Sequence, residues 1–444
     1  MARKRKTKKR HARVSFPTPA VADERTTTNA TAREGIGWRM QLFVFAIAFA
    51  AVVSRRPDAL FNPQFFAEDG ALWYHDAYMF GWLAPLFQPY VGYFATLPRL
   101  VASPALLVPL RFAPLLMNLA GLVLQVLPVN ILLSARCRNW APISVRAFMA
   151  VIYIALPNTR ELEATITDAH WHLALLACLL VLACVPRTVP WQIFDSGVIL
   201  LSGLSGPFCI IMLLVAAVFW WFRRERRRLV AIGALSITAF IQLSAIILTM
   251  AGTLRERSTL GATPELFLKL FGGQIYLGAL IGERSSPTHK SDLLLAALAL
   301  SGTALVVYCL LKAPLEIKLF VCFTFLVFAA SLRNPCCTLD PNARMWELLQ
   351  DAGGVRYWFF PMLGFAWALV WCLTSSKNIL FQGAAGLGFL AMTFGIALDW
   401  EYPAYTDFHF HDHASRFDAA DPGTSVTIPI NPDGWVMNLT KKRR

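Results

Sequence analysis

Charged residues are scarce in this sequence of 444 residues. Lys, Arg, Asp and Glu make up 15% of the chain, whereas apolar residues make up 56%. Soluble globular domains carry about 25% charged residues, so this composition argues against an ordinary water-soluble protein. It indicates a polytopic membrane protein, because a lipid-facing surface must be apolar and the bilayer core offers no water to unpaired backbone groups.

The sequence also lacks the short motifs of soluble nucleotide and redox chemistry. No Gly-rich phosphate loop follows a strand pattern, no serine elbow is present, and no CxxC pair occurs. The nine cysteines have neither zinc-site spacing nor a pairing framework. Most of them lie in or beside apolar runs, where cysteine packs as a small hydrophobe.

Positive charge is concentrated at the two ends of the chain. Of the net charge of +14, twelve positive charges lie in residues 1–13 and in the last four residues, which leaves +2 for the rest. We predict that residues 1–38 form a disordered, basic cytoplasmic arm, which marks topology and contacts anionic lipid headgroups. Nucleic acid is not an expected partner, because the basic run 1–13 contains no Phe, Tyr or Trp and no folded module follows it.

Apolar runs predict an all-α polytopic membrane protein with about 10–12 transmembrane helices. The predicted transmembrane domain covers residues 39–398. Two short runs, 95–110 and 195–205, predict half-helices or tilted spans. The ten clearer runs are 39–54, 114–134, 145–157, 171–185, 206–222, 229–250, 293–311, 317–332, 357–373 and 379–398.

Charge predicts the orientation of these spans. The run RRERRR, residues 223–228, is the strongest cytoplasmic marker in the body of the chain. Counting spans from it in both directions gives a cytoplasmic N-terminus and an extracytoplasmic C-terminus. The predicted outer segments are the loops 55–94, 157–171, 251–292 and 333–356 and the tail 399–444.

The first outer loop contains FFAEDGALWY, in which Glu68 and Asp69 are adjacent. Only one of the two is expected to point into a cleft, because adjacent side chains diverge on a helix or strand. A carboxylate that is buried or close to another acid has a raised pKa and can act as a general base. We predict that role for Asp69, with Glu68 beside it. The pair also has the oxygen ligands that Mg²⁺ or Mn²⁺ prefers. The alternative is an interfacial loop with solvated acids and an aromatic belt.

The second outer loop, NTRELEATITDAHWH, supplies Asp168 and His170 as candidate substrate-binding residues. Asp168 lies just before an apolar run, where it can also serve as a helix N-cap. His170 and His172 flank a tryptophan, and a metal site of two histidines and an acid is one interpretation. Histidines two residues apart point to different faces of a helix, so interfacial side chains are the favoured interpretation.

The third outer loop ends in Arg356 and Tyr357, where the chain re-enters the membrane, and it also carries Arg344. Arginine presents a rigid fork of donors that fits phosphate oxygens and stays charged in a low dielectric. We therefore predict that Arg356, with Tyr357 and Arg344, contacts a phosphate group. The alternative is an arginine that only extends its charged group to the membrane interface.

The tail sequence GTSVTIPINPDGWVMNLTKK alternates apolar and smaller residues on both sides of NPDG. This pattern predicts a small extracytoplasmic β-hairpin. His409, His411 and His413 also alternate, so on a strand they would share a face and could bind a metal. The favoured interpretation is that they are loop histidines.

The motif AEDG in the first outer loop, the second acid-bearing loop and the late Arg-Tyr pair together resemble GT-C-type integral-membrane glycosyltransferases. LSGLSGPF, residues 201–208, is similar to elements of bacterial members that transfer mannose or aminoarabinose. The chain departs from the family pattern in two respects: it has no clear Asp-x-Asp motif and no large outer soluble domain.

The resemblance implies a bacterial inner-membrane enzyme. It would move a sugar from a polyprenyl-phosphate donor to a glycan, lipid or protein acceptor at the outer face, with inversion. Asp69 would then be the base, with Glu68 or Asp168 orienting sugar hydroxyls or a divalent ion. Arg356 and Tyr357, with Arg344, would hold the departing phosphate.

Two other classes of protein remain open from the sequence. A transporter or lipid flippase would carry charged groups deep within its spans or two similar halves, and neither is evident here. In a non-catalytic assembly protein, the acidic outer loops would be solvated surface.

Overall fold

The structure is a computed structural model that describes residues 35–249, 259–285, 290–333, 335, 342–349 and 354–443. It is mostly helical, with a small two-stranded sheet near the C-terminus. Two π-helical segments, Asp69–Tyr74 and Lys269–Leu277, interrupt the regular helices. The α-helices are α1 Trp38–Arg55, α2 Asp58–Phe61, α3 His75–Phe80, α4 Thr96–Ala105, α5 Ala113–Leu133, α6 Ile143–Ile154, α7 Ala169–Leu182, α8 Val189–Gly203, α9 Phe208–Arg223, α10 Arg228–Thr249, α11 Pro264–Leu268, α12 Gly278–Ile281, α13 Asp292–Lys312, α14 Leu315–Arg333, α15 Met345–Leu348, α16 Arg356–Ser375, α17 Ile379–Leu398 and α18 Phe410–Ala419.

Each of the ten clear apolar runs of the sequence forms a helix. Seven helical segments in the described ranges are long and apolar enough to cross a membrane. They are Trp38–Arg55, Leu110–Leu133, Arg228–Thr249, Asp292–Lys312, Leu315–Arg333, Arg356–Ser375 and Ile379–Leu398. The other three runs form the shorter apolar helices α6, α7 and α9.

Helices α7 and α16 form the centre of the bundle. Every residue of α7 except His170 is buried, as expected for a helix that is apolar on all sides. Helix α16 is also mostly buried and packs against α14, α17, α13 and α6. Helices α1 and α17 leave most of their apolar surface exposed, which is the pattern of a lipid-facing helix.

One end of the bundle, which we call the acidic end, joins the ends of α1 and α6 to the start of α16. Arg55, the last residue of α1, donates to the carbonyl oxygen of Leu156, just after α6. Arg356, the first residue of α16, pairs with Glu161 in the segment between α6 and α7. The predicted outer loops that begin at residues 55 and 157 therefore meet at this end.

The opposite end, which we call the basic end, carries the cationic turns. Helix α9 begins at the acidic end, where the Phe208 ring lies 5.7 Å from the ring of His170. It ends at Arg223, which pairs with Glu316 at the start of α14. The RRERRR run therefore lies at the end of the bundle away from Asp69 and its neighbours.

The predicted C-terminal hairpin is confirmed. Strands β1, Ser425–Ile430, and β2, Trp435–Thr440, pair antiparallel with Ser425 opposite Thr440. The hairpin packs onto the first loop, because the amide of Ala67 donates to the carbonyl of Asn431, and the amide of Asn431 donates to the carbonyl of Phe65. The tail thus covers the segment that carries Glu68 and Asp69.

The structure corrects one expectation about the tail histidines and adds helices within a predicted outer loop. His409 immediately precedes α18, and His411 and His413 lie within it. They therefore do not share the face of a strand, because residues two apart on a helix point in different directions. The segment 264–281, expected within an outer loop, is helical and largely buried. Gly272 permits this packing, since a Cβ at that position would clash with the backbone of Leu295 in α13.

Candidate functional site

Asp69 connects the first loop to the second. Its side chain is 1% exposed, at the start of the first π-helical segment. The Thr167 hydroxyl and amide donate to Oδ1 over 2.5 and 2.8 Å, and the Ile166 amide donates to Oδ2 over 3.3 Å. Three donors from a segment almost a hundred residues away therefore orient this carboxylate.

Burial raises the pKa of Asp69 to about 7. The hydrogen bonds from Thr167 and Ile166 act in the opposite direction, and the charge of Glu68 adds to the increase. A carboxyl group with this pKa is partly ionised near neutral pH, which suits it to accept a proton from a substrate hydroxyl. The structure buries Asp69, and its role as a general base stays a prediction.

Asp168 is a second buried carboxyl group, 3% exposed. Burial raises its pKa well above the ordinary value, Glu161 and the acids of the first loop act in the same direction, and Arg356 opposes them. Glu68, Asp69, Glu161 and Arg356 are thus all within electrostatic reach of Asp168. Residues from three distant parts of the sequence meet at the acidic end of the bundle.

The alternative position of Asp168 as a helix N-cap is confirmed, but without the capping hydrogen bond. The residue occupies the N-cap position of α7, but in the described structure its side chain makes no capping hydrogen bond. Its amide donates to the hydroxyl of Thr165 over 3.4 Å. Asp168 is therefore a desolvated acid at the start of α7, and its carboxylate accepts no hydrogen bond from the amides of the first helical turn.

Glu68 and Asp69 diverge, as the sequence predicted. Glu68 is half-buried and accepts a hydrogen bond from the hydroxyl of Tyr90 over 3.2 Å. The Tyr90 ring packs edge-on against Trp73 at 5.1 Å, and the Trp73 indole donates to Thr167 over 2.9 Å. The two adjacent acids are thus joined through a short aromatic and hydroxyl network.

Arg356 lies at the site but already has an anionic partner. Its amide donates to Oε2 of Glu161 over 3.0 Å, and its guanidinium group pairs with the same carboxylate. The two side chains are 25% and 20% exposed. Tyr357 is buried, and its ring lies 5.0 Å from the Arg356 guanidinium and 6.1 Å from the Trp171 ring. To bind a phosphate, Arg356 must share or exchange Glu161.

His170 belongs to the site. Its Nδ1 lies 2.7 Å from the carbonyl oxygen of Thr167, so Nδ1 is the protonated nitrogen, because a carbonyl can only accept. Nε2 of a neutral imidazole is then an acceptor. His170 thus presents an acceptor next to the Asp168 segment, which fits a substrate hydroxyl.

Arg344 is not brought into the site. It is exposed and pairs with Glu347 over 3.0 Å, and its neighbour Met345 donates to the carbonyl of Thr259. Among the contacts of the described residues, none joins Arg344 to Asp69 or Asp168.

Metal ligation receives no specific support from the side-chain arrangement. Within the described ranges, no group of three or more His, Cys, Asp or Glu side chains could hold a metal ion. Both oxygens of Asp69 already accept hydrogen bonds. A divalent cation at Glu68 and Asp69 stays a prediction.

The acidic end also contains a buried network that the sequence analysis missed. Arg55 and Glu163 are each 1% exposed and form an ion pair of 2.8 Å. The carboxylate of Glu163 also accepts from Gln125 and Thr159 over 2.6 and 2.9 Å, and Arg55 donates to the hydroxyl of Tyr402 in the tail over 2.7 Å. The only signal for it was a pair of arginines, in SRRP, at the end of the first apolar run.

Backbone strain coincides with the two acid-bearing loops. Four non-glycine residues there adopt positive φ: Ala67 at 46°, Val91 at 49°, Asn158 at 57° and Ala164 at 60°. Such conformations are costly for residues with a Cβ and occur preferentially at functional sites. The hydrogen bond from Ala67 to Asn431 of the tail helps to hold the first of them.

No family model, curated protein or solved structure matches this chain. Its function is therefore inferred from the chemistry of the acidic end.

Proposed function

We propose that this protein is a GT-C-like integral-membrane glycosyltransferase of the bacterial inner membrane. It would move a sugar from a polyprenyl-phosphate donor to a glycan, lipid or protein acceptor at the outer face, with inversion. The observation that supports this proposal is the meeting of Asp69, Asp168 and Arg356 at one end of a bundle of membrane-length helices. Sugar transfer from a lipid phosphate requires a base that accepts the acceptor's proton and a cation that stabilises the leaving phosphate, both next to the membrane.

The distribution of charge supports the orientation. Cytoplasmic turns of membrane proteins are enriched in Lys and Arg, and the basic end carries Arg223, Arg228 and Lys312. With the basic end inside, the acidic end faces outward. Ten apolar helices, with α4 and α8 as additional partial or tilted crossings, would give the expected 10–12 spans.

In the proposed reaction, an acceptor hydroxyl attacks the anomeric carbon of the sugar. Asp69 takes the hydroxyl proton, a new carbon–oxygen bond forms, and the bond between the anomeric carbon and the phosphate oxygen breaks. One displacement of this kind inverts the anomeric configuration. The phosphate leaves as an anion, which Arg356 stabilises as it exchanges Glu161 for the phosphate.

The other residues of the site would position the sugar. Asp168, His170 and Tyr357 lie around Arg356 and offer hydrogen-bonding groups next to an aromatic wall. Glu68 would orient a sugar hydroxyl or hold a Mg²⁺ or Mn²⁺ ion. Transfer measured with and without a chelator separates these two roles of Glu68.

The decisive experiment uses the purified protein, reconstituted in liposomes with a panel of polyprenyl-phosphate sugars. We expect sugar transfer by the wild type and a loss of about 10²- to 10⁴-fold in Asp69→Asn, because a positioned base contributes about that much. Glu401→Gln is the matched control, because Glu401 is an exposed acid of the tail. Equal transfer rates for wild type and Asp69→Asn would show that Asp69 is not the base.

The same liposomes test the transporter or flippase alternative. If a sugar lipid crosses sealed vesicles without forming a covalent product, the glycosyltransferase proposal is wrong. Compositional analysis of surface glycans and glycolipids in a deletion strain then identifies the sugar, since one specific residue should be missing.

A further inference from the structure

Arg56, the residue after α1, is a buried cation that forms no ion pair with any residue that the structure describes. It is 2% exposed, and its guanidinium group lies 4.2 Å from the ring centroid of Tyr405 in the tail. In the part of the chain that the structure describes, its Nε and Nη1 atoms have no hydrogen-bond partner. Burying an arginine in this way costs several kcal/mol unless an anion compensates.

Two neighbouring polar atoms are in the same situation. Oδ1 of Asp58 and the hydroxyl of Tyr405 are buried and, among the described residues, also lack hydrogen-bond partners. The three residues are neighbours, because the Arg56 guanidinium group lies over the Tyr405 ring and the Tyr405 backbone amide donates to the other oxygen of Asp58 over 2.9 Å. Arg56 and Asp58 thus both contact Tyr405, and together the three residues carry two unpaired donor nitrogens, one unpaired acceptor and one unpaired hydroxyl.

This unit adjoins the candidate site. The Tyr405 ring stacks on Phe66 at 5.2 Å, three residues before Asp69. Burial raises the pKa of Tyr405 above its ordinary range. The charge of Arg56 lowers this pKa, and the charges of Asp69, Asp58 and Asp168 raise it further. All of these groups are therefore within electrostatic reach of the Tyr405 hydroxyl.

The nearby acids are engaged elsewhere. Asp69 is held by donors from Thr167 and Ile166. Glu283 pairs with Arg160 over 3.4 Å. Burial raises the pKa of Glu283, and the charge of Arg56 partly opposes this increase. Arg56 therefore faces several acids without a close partner among them.

We propose that Arg56, Asp58 and Tyr405 bind a phosphate ester that carries a neighbouring hydroxyl group, as a glycosyl phosphate does. The guanidinium fork would donate to phosphate oxygens, and a ligand hydroxyl would donate to Oδ1 of Asp58. The Tyr405 hydroxyl donates to the phosphate or accepts from the sugar. Such a ligand satisfies all of the unpaired atoms at once.

This inference deepens the proposed function and rests on it in naming the donor's glycosyl phosphate as the ligand. Arg356 is paired with Glu161, whereas Arg56 makes no ion pair among the described residues. Arg56 is then the first cation to contact the donor phosphate, and Arg356 is the second. The tail becomes part of the binding site, because it supplies Tyr405.

The test measures binding apart from transfer. The full chain is purified in a polyoxyethylene detergent, which contains neither phosphate nor sugar, and titrated calorimetrically with hexose 1-phosphate, polyprenyl phosphate and inorganic phosphate. We expect Arg56→Met to weaken hexose 1-phosphate binding by about ten- to a hundredfold, the range for losing a hydrogen-bonded charge. Arg111→Met is the matched control, because Arg111 is an exposed arginine in the turn just before α5.

The probes distinguish the sources of the phosphate group. Preference for hexose 1-phosphate, with Asp58→Asn and Tyr405→Phe weakening it, supports the assignment of a hydroxyl-bearing ester. Equal or tighter binding of inorganic phosphate or of polyprenyl phosphate overturns the assignment of the hydroxyl to Asp58. Wild-type affinity in Arg56→Met, or no binding of any probe by the wild type, overturns the site and indicates that water satisfies Arg56.

Failure of this inference and failure of the proposed function are distinguishable. If Arg56→Met loses phosphate binding but the wild type transfers no sugar, the anion site stands and the glycosyltransferase proposal falls. If the wild type transfers sugar and Arg56→Met binds and transfers equally well, the function stands and this site falls.

Discussion

Arg55 and Arg56 are adjacent at the end of α1 and are 1% and 2% exposed. Arg55 donates from all three of its nitrogens, to main-chain carbonyls, to the Tyr402 hydroxyl and to the carboxylate of Glu163. Arg56 only lies over an aromatic ring, and two of its nitrogens lack partners in the described structure. Both side chains are desolvated, but only one of them is compensated.

The acids at the same end differ in the same way. Glu163 accepts from Arg55, Gln125 and Thr159, so each of its oxygens has a charged or strong donor. Asp69 and Asp168 are just as buried, and Asp69 accepts three hydrogen bonds, but neither acid forms an ion pair among the described residues and burial raises the pKa of both. A complete network fixes a structure, whereas buried groups left partly unmatched are typical of sites that await a ligand or exchange a proton.

The largest effect on stability is expected from Arg55→Met. This change leaves Glu163 buried without its cation, and breaking a buried ion pair costs about 3–5 kcal/mol. The free energy of unfolding, measured by denaturant titration in detergent, should fall by that amount. A double variant, Arg55→Met with Glu163→Leu, should recover most of the loss because no buried charge remains. A loss below about 1 kcal/mol in the single variant would show that this network is not structural.

The next effect concerns pH. The pKa of Asp69 is raised from 3.8 to about 7, so its contribution to stability is fully present below pH 3.8 and is lost as the pH rises through about 7. The difference corresponds to about 4 kcal/mol. Between pH 4 and pH 7.5 the free energy of unfolding of the wild type should fall by about 4 kcal/mol relative to that of Asp69→Asn. Glu401→Gln should follow the wild type, and parallel curves for wild type and Asp69→Asn would contradict the raised pKa.

Arg56→Met should behave unlike Arg55→Met. Removing an uncompensated buried cation relieves its desolvation cost, so the free energy of unfolding should stay within about 1 kcal/mol of the wild type or increase. The same denaturant titration measures it. A loss as large as that of Arg55→Met would indicate that Arg56 has a structural partner and would remove the contrast between the two arginines.

The helices could be predicted from the sequence because apolar runs of membrane length determine them locally. All ten clear runs form helices. The segment 264–281 was missed because its close approach to α13 at Gly272 depends on a neighbouring helix. Loop assignments from composition therefore fail where packing between distant segments decides the structure.

The site could be predicted only in part. Asp69, Asp168 and Arg356 were identified from acids and an arginine in loops predicted to lie on the same side of the membrane, and the structure brings them together. The partners could not be found in this way. Glu161 lies 195 residues from Arg356, and Tyr402 lies 347 residues from Arg55. No local pattern specifies contacts over such separations, so the roles of Arg55, Arg56 and the tail emerge only from the fold.

The smallest effect is expected from Arg344→Ala, and it shows what burial adds to an ion pair. The N–O distance is 3.0 Å in Arg344–Glu347 and 2.8 Å in Arg55–Glu163, but the side chains are 64% and 51% exposed in the first pair and 1% exposed in the second. Exposed pairs contribute about 0.2–1 kcal/mol, because water and salt screen them. The free energy of unfolding should therefore change by less than about 1 kcal/mol in Arg344→Ala.

The change should become smaller still in high salt, where Arg55→Met should keep its full effect, since buried pairs are screened much less. If the two variants respond alike to salt, burial does not separate the two kinds of pair, and the contrast between the compensated and uncompensated arginines loses its physical basis.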